Sequence, residues 1–364
     1  MSKLHAYTGV LYEGSIWYSC IEMNSLYRFD IAKKVNKFVC LFPDEKSGQR
    51  EMHRICQYVN GIIIFLPFQG NHIHIYTPNS YMMESIFFSE YVYDSFVVDD
   101  EIWMICGLNG EKLYVFNVID KTLREIKEYK EAYKTLGVQG GRRFKYHNGH
   151  IWFGCLGTNR IADWDIEKSE LRVHNTDIKN IFAICPTDNA CWVIDRDTPN
   201  IHEWNYSDHV TTHNIDDIEI LADIGKLSVP PRYYNNLFKF MDRIILLPAY
   251  TDSITVFDGK EHQAVKIKVP NNARNLPKCF GYAHDINNVY ILPFCTDELI
   301  HITASWDIQI GDAFQNSPNC LSLAEQKRVM KEAQDEKGYI VEGALFGLND
   351  FLSVVSHKSG EDYE

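Results

Sequence analysis

The 364-residue chain lacks several features that would place it quickly. It has no run of 18 or more apolar residues, which leaves no candidate for a membrane-spanning helix. Its longest apolar stretch, Ile62 to Phe68, has the length of a strand. The opening MSKLHAYTGVLYEG carries no apolar core of the kind a secretory signal needs, so a cytoplasmic location is expected. No CxxC pair occurs among the ten cysteines, which disfavours four-cysteine structural zinc and fits a reducing compartment. There is no GxSxG, HExxH or Walker loop, and no GxGxxG in a strand–helix setting. Positive charge is also in short supply: 36 Lys and Arg stand against 49 Asp and Glu, a net charge of −13. Nucleic acid and acidic membrane surfaces are therefore poor partners.

Aromatic residues are plentiful, with 21 Tyr, 20 Phe and 7 Trp. Such side chains suit pleated, half-buried surfaces and point to β structure. The segments GSIWYSC, NGIIIFLP, DEIWMIC, GHIWFGC, NACWVID, DRIILLP and NNVYILP align on Trp17, Ile64, Trp103, Trp152, Trp192, Ile245 and Tyr290. The anchors lie 47, 39, 49, 40, 53 and 45 residues apart, the length of a four-stranded propeller blade. Three residues past the anchors stand Cys20, Pro67, Cys106, Cys155, Asp195, Pro248 and Pro293. Twelve past them stand Phe29, Tyr76, Trp164, Trp204, Phe257 and Ile302, with Phe116 thirteen past the third anchor. Asp, Asn or Thr follows each of these, which is turn chemistry after a strand.

One strand precedes each anchor, as in His53–Val59 or Arg143–His147, and a weaker one closes each unit, as in Lys37–Phe42. Four strands in each of seven units predict an all-β, seven-bladed propeller of antiparallel blades over residues 1–310, whose closure removes exposed sheet edges. Residues 311–364 are expected to form a short helical extension packed on the propeller. Within it Leu321–Lys337 has helix-forming composition, Ser322 and Glu325 suit a capping box, and Gly338 suits a stop.

The apolar anchor strand, the loop with Asn and the LYRFD motif of Leu26–Asp30 resemble blades of the YVTN, NHL and virginiamycin-lyase-like propellers over about residues 4–310. WD repeats fit less well, because no Gly-His…Trp-Asp pairing recurs. Propellers host unrelated activities, so the resemblance implies a fold and little else. Lyases of this type need a His/Glu set with a divalent ion. That set is not placed residue by residue here, and no lyase activity is carried over.

In such a fold, ligands are expected at one channel end, where the between-blade loops and the loops after each anchor strand meet. The between-blade loops carry Arg50, Arg54, Arg142, Arg143, Arg232, Arg274 and Lys278, with His53, Tyr93, Tyr233 and Tyr234 in or beside them. Arginine binds carboxylate or phosphate in a two-pronged fashion, and neighbouring aromatics can stack a sugar or base. These residues, with Asp252 and Asp297, form the candidate ligand site. The function expected is a non-catalytic binding propeller for an anionic small molecule (a sugar acid, sugar phosphate or nucleotide sugar) or for a protein partner. The alternatives are an enzyme of carbohydrate or secondary-metabolite metabolism, with acid–base groups among His53, His72, Asp252, Asp297 and Glu298, and a structural subunit of a larger assembly. The seven-residue offset that repeats Asn24, Asn71, Asn159, Asp252 and Asp297 also reads as turn chemistry. No cofactor is expected; His72 and His74, on one face of a strand, are the candidates for a divalent metal.

Overall fold

The computed structural model describes residues 5–21, 24–45, 51–137, 140–207, 209–221, 232–269, 279, 281–292, 294 and 298–312, without the side chains of 140–142 and 298. Of the C-terminal extension expected over 311–364, Gly311 and Asp312 belong to the last strand, Ile308–Asp312, and residues 313–364 lie outside the described residues. Seven four-stranded antiparallel sheets occupy residues 10–40, 53–87, 92–125, 140–175, 181–213, 234–268 and 282–312. In each, the four strands lie side by side in chain order, so every blade is one continuous stretch of sequence and none borrows a strand from another.

The anchor strands show why the repeat exists. Ile62–Pro67 is apolar at consecutive positions because it is buried on both faces. Side chains alternate along a strand. Ile63 and Phe65 therefore pack toward blade one, and Ile64 and Leu66 toward blade three. The described residues form seven apolar clusters, one in each wedge between neighbouring blades.

Every anchor faces the next blade in the ring. Every aromatic or aliphatic residue twelve or thirteen positions later faces the previous one. Each wedge thus receives an anchor from one blade and its counterpart from the next. Trp17 meets Tyr76 with ring centroids 5.3 Å apart, Trp192 meets Phe257 at 5.4 Å, and Trp152 meets Trp204 at 6.4 Å. Burying one such side chain contributes about 1.5–3 kcal/mol, so the recurring pair is a large share of what joins one blade to the next.

The ring closes by the same means. Ala283, Tyr290, Leu292 and Leu299 of blade seven share a cluster with Ile16, Tyr18, Tyr27 and Phe29 of blade one. The seam is tight at Gly281, where an added Cβ would lie 2.3 Å from the Tyr7 carbonyl oxygen and 2.8 Å from Thr8 Cγ2.

Among the described residues, one element lies outside the expected pattern. The helix Lys127–Thr135 follows blade three and covers the wedge to blade four. Tyr129 and Tyr133, four residues apart and so on one helix face, are its buried residues. The Tyr129 hydroxyl donates to the Gly110 carbonyl at 3.0 Å, and its ring meets Trp164 edge-on at 5.4 Å.

Candidate functional site

The innermost strands line a central cavity of about 600 Å³. The feature that shapes one of its ends is a β-bulge repeated near the start of the innermost strand in blades two to six. Pairing between the first two strands shifts between His53 and Ile55, across Tyr93, between Gly140 and Phe144, between Ile181 and Ala183, and between Tyr234 and Asn236. A bulge leaves one residue out of the ladder and re-aims its side chain. The extra residues are Arg54, Tyr93, Phe182 and Asn235, with Arg143 inside the longer irregularity of blade four.

These residues touch one another around the ring. The Arg54 guanidinium lies 5.5 Å from the ring centroid of Tyr7, 5.2 Å from that of Phe68 and 5.5 Å from that of Tyr93. Arg143 Nε donates to the Asn235 carbonyl at 3.2 Å, joining blade four to blade six past blade five. Asn235 Oδ1 in turn accepts from Arg232 Nε at 3.0 Å and Nη2 at 2.6 Å, and its Nδ2 donates to the Cys279 carbonyl at 2.9 Å. Arg232 packs over Phe182 at 5.0 Å and over Tyr250 at 5.8 Å.

Arg54, Arg143 and Lys145 line the cavity together with Asp94, Tyr282 and His284. Among the described lining residues, two arginines and a lysine therefore face one carboxylate. Asp94 is engaged with the backbone: its Oδ2 accepts from Phe144 N–H and its Oδ1 from Ser95 N–H, both at 3.0 Å. Loss of solvent, followed by the nearby charge of Arg54, pushes the Arg143 guanidinium down to about 10. Burial also lowers Lys145 and His284 and raises the Tyr282 phenol. Arg143 stays protonated at neutral pH, held in a place that penalises its charge.

The residues expected from the sequence separate into groups. Arg54 and Arg143 line the cavity, and Tyr93 lies buried beneath Arg54 with its ring edge to Phe144. Arg232 is locked between blades five and six; Tyr234 is buried there, its hydroxyl donating to the Pro199 carbonyl at 3.1 Å, and Tyr233 is half-buried beside it. Asp252 serves its own turn, accepting from Ser253 Oγ at 2.8 Å. Neither His53, His72 nor Asp252 lines the cavity. Arg50, Arg274, Lys278 and Asp297 lie outside the described residues, as do the side chains of Arg142 and Glu298.

Lys145, Asp94, Phe182, Asn235, Tyr282 and His284 went unread. For two of them the signal was available: the residues ten places before the anchors are Tyr7, Arg54, Tyr93, Arg142, Phe182, Asn235 and Phe280.

His53 is turned into the wedge between blades one and two. Its Nε2 lies 2.8 Å from His74 Nδ1, its Nδ1 3.0 Å from Ser19 Oγ, and His74 Nε2 2.9 Å from the Pro43 carbonyl oxygen. That carbonyl can only accept, so His74 carries its proton on Nε2 and accepts on Nδ1. His53 then donates from Nε2 and accepts the Ser19 hydroxyl proton on Nδ1. Burial holds His53 well below its ordinary value and His74 at about 4, so both rings are neutral. His72 pairs instead with Glu45 at 3.1 Å. Among the described residues, no group of three or more His, Cys, Asp or Glu is placed to hold a metal ion. None of the described helices is long and apolar enough to cross a membrane.

No family model matches the chain, and no curated protein matches it in sequence. Its backbone is similar to solved propellers. A streptogramin B lyase superposes with a TM-score of 0.55 at 12% identity, over 85% of this chain and 94% of that one. Virginiamycin B lyase from Staphylococcus aureus gives 0.50 at 15%, over 72% and 84%. The WD40 repeats of RRP9 give 0.55 at 8%, over 83% and 88%. The likeness is one of fold. The chain is a seven-bladed propeller that stands near lyase-type and WD40-type rings alike, and the chemistry of its site has to come from its own residues.

Proposed function

We propose that this propeller is a non-catalytic binding module that holds an anionic small molecule in its central channel. The observation that carries the reading is the cavity wall in which Arg54, Arg143 and Lys145 face the single described carboxylate of Asp94, on a protein whose net charge is −13. Desolvating cations is costly, and a bound anion offsets that cost. Carboxylate and phosphate both suit a guanidinium, so sugar acids, sugar phosphates and nucleotide sugars are the ligand classes to test. The binding reading is also supported by the scatter of the candidate acid–base residues, since His53, His72 and Asp252 do not meet at the cavity. A protein partner is the second reading, favoured by WD40-type neighbours that include a chain of a mitotic checkpoint complex.

A thermal-shift screen of those three ligand classes tests the proposal. A ligand at 100 times its dissociation constant adds about 2.7 kcal/mol of stability. The shift should disappear in Arg54→Ala and in Arg143→Ala, and should shrink with added salt. A shift that both variants retain, or no shift from any compound, overturns the channel as the anion site.

A further inference from the structure

The cavity is chemically two-ended, and its second end goes beyond anion binding. The innermost strands run from the bulges to an opposite rim, where Tyr58, Phe96 and Tyr146 line the same space as Arg54 and Arg143. Phe96 and Tyr146 stack with ring centroids 5.2 Å apart and planes 8° from parallel, and Tyr58 stacks on Tyr12 at 5.1 Å. Tyr58 is 41% exposed and Tyr146 37%, so these rings reach solvent while the rings that fill the wedges are buried. The Tyr12–Tyr58 pair stands at the wedge of blades one and two and the Phe96–Tyr146 pair at the wedge of blades three and four, and each gives the cavity a partly exposed tyrosine surface. Such a surface suits the face of an aromatic or pyranose ring, which loses little freedom when it stacks.

The separation of the two ends follows from strand geometry. Arg54 and Tyr58 are four residues apart on one innermost strand, and Arg143 and Tyr146 three apart on another. At about 3.3 Å per residue, the two arginines and the aromatic rim are roughly 10 to 13 Å apart, with Lys145 beside Tyr146. Lys145 and His284 line the cavity as well, and burial biases His284 toward its neutral form.

We propose that the channel takes a two-part ligand: one anionic group placed between Arg54 and Arg143, joined by a spacer of roughly 10 Å to a planar or pyranose ring stacked on the Tyr58, Phe96 and Tyr146 rim. This deepens the anionic-channel reading and rests on it. It excludes compact anions such as inorganic phosphate as the preferred ligand, and it predicts that affinity depends on the distance between charge and ring.

Isothermal titration of the full chain with benzoate, hexanoate and ω-phenylhexanoate separates the possibilities. Benzoate has ring and charge adjacent, hexanoate has charge without ring, and ω-phenylhexanoate holds the two apart. The expected result is at least tenfold tighter binding of ω-phenylhexanoate than of either other acid. That advantage should fall toward unity in Tyr146→Ala, and also in Tyr58→Ala, so that a folding defect in one variant does not decide the matter. Binding of all three acids within threefold of each other overturns the two-part ligand and leaves the anionic reading standing. No binding by any of the three overturns both.

Discussion

Acid should unfold this protein through a pair of histidines rather than through its carboxylates alone. The rings of the Ser19–His53–His74–Pro43 chain of hydrogen bonds are kept neutral by burial, and His74 sits at about 4 in the fold against an ordinary 6.5. A base held below its unfolded value binds protons more readily when unfolded, so stability is complete above the unfolded value and drains as pH falls toward the folded one. Each tenfold difference in proton affinity is about 1.4 kcal/mol, so His74 alone removes about 2 kcal/mol between pH 7.5 and 5 and about 3 kcal/mol by pH 4. Domains are stable by about 5–15 kcal/mol, which makes this a large fraction. The carboxylates that the fold stabilises act later: Asp165 is held at about 2 and Asp195 is lowered, so their contributions are lost only below about pH 4.

The relay can absorb one proton by running backwards. His74 then donates from Nδ1 to His53 Nε2, His53 donates from Nδ1 to Ser19, and every bond survives. A second proton breaks the chain. The assay is urea unfolding at pH 7.5 and pH 5 for the native chain and for His74→Gln, which keeps a donor and an acceptor without a titrating ring. The variant should lose about 2 kcal/mol less over that interval. Equal losses would refute the reasoning and move the acid sensitivity to His213, His284 or His301, which burial also lowers.

Further expectations come from the wedges and the seam. Gly281→Ala should cost more than about 1 kcal/mol by chemical denaturation, because the new methyl meets the Tyr7 backbone rather than a side chain that can swing away. Trp192→Ala should cost about 3–5 kcal/mol. With Phe257→Ala it should show a coupling of at least about 0.5 kcal/mol in a double-mutant cycle, since the two rings fill one wedge. Tyr129→Phe should cost about 1 kcal/mol by removing the bond to the Gly110 carbonyl while keeping the ring against Trp164.

The fold was legible in the sequence because wedge packing imposes a chemical type. A residue such as Trp103 must fill the gap to blade four, and Phe116 the gap to blade two, so apolar residues recur twelve or thirteen positions past the anchor in all seven units. The channel layer imposes no type. Arg54, Tyr93, Phe182 and Asn235 occupy equivalent bulges and share only a position, so composition does not mark them. Loop position also misled at His53: it precedes Arg54 by one residue, yet the bulge sends Arg54 to the channel and leaves His53 facing Ser19 and His74. The helix Lys127–Thr135 went unread because its apolar face is short, resting on Tyr129 and Tyr133. Lys145 went unread because a lysine in a strand next to Tyr146 reads as a solvated position, whereas the channel wall encloses it.

The bulges let stability and chemistry be separated by a single residue. Arg54 stands outside the ladder, so the alternation that fills the two apolar wedges does not have to place its guanidinium. Ile55 still pairs with Leu66 and His53 with Pro67. Removing residue 54 altogether should therefore leave both pairings and both wedges in place. Removing Gln57 from the same strand should instead flip the residues on one side of it to the wrong faces, Ile55 and Cys56 among them. The deletion of Arg54 is expected to give a folded ring with native-like circular dichroism, a cooperative melt and no anion-dependent shift, and the deletion of Gln57 to give an unfolded or aggregated chain. If both deletions unfold the protein, the bulge is part of what holds the blade together, and the channel layer cannot vary independently of the wedges. If the first folds and the second does not, the channel layer can change its residues freely while the wedges stay fixed, which is how one propeller scaffold can carry a ligand site that its repeat does not encode.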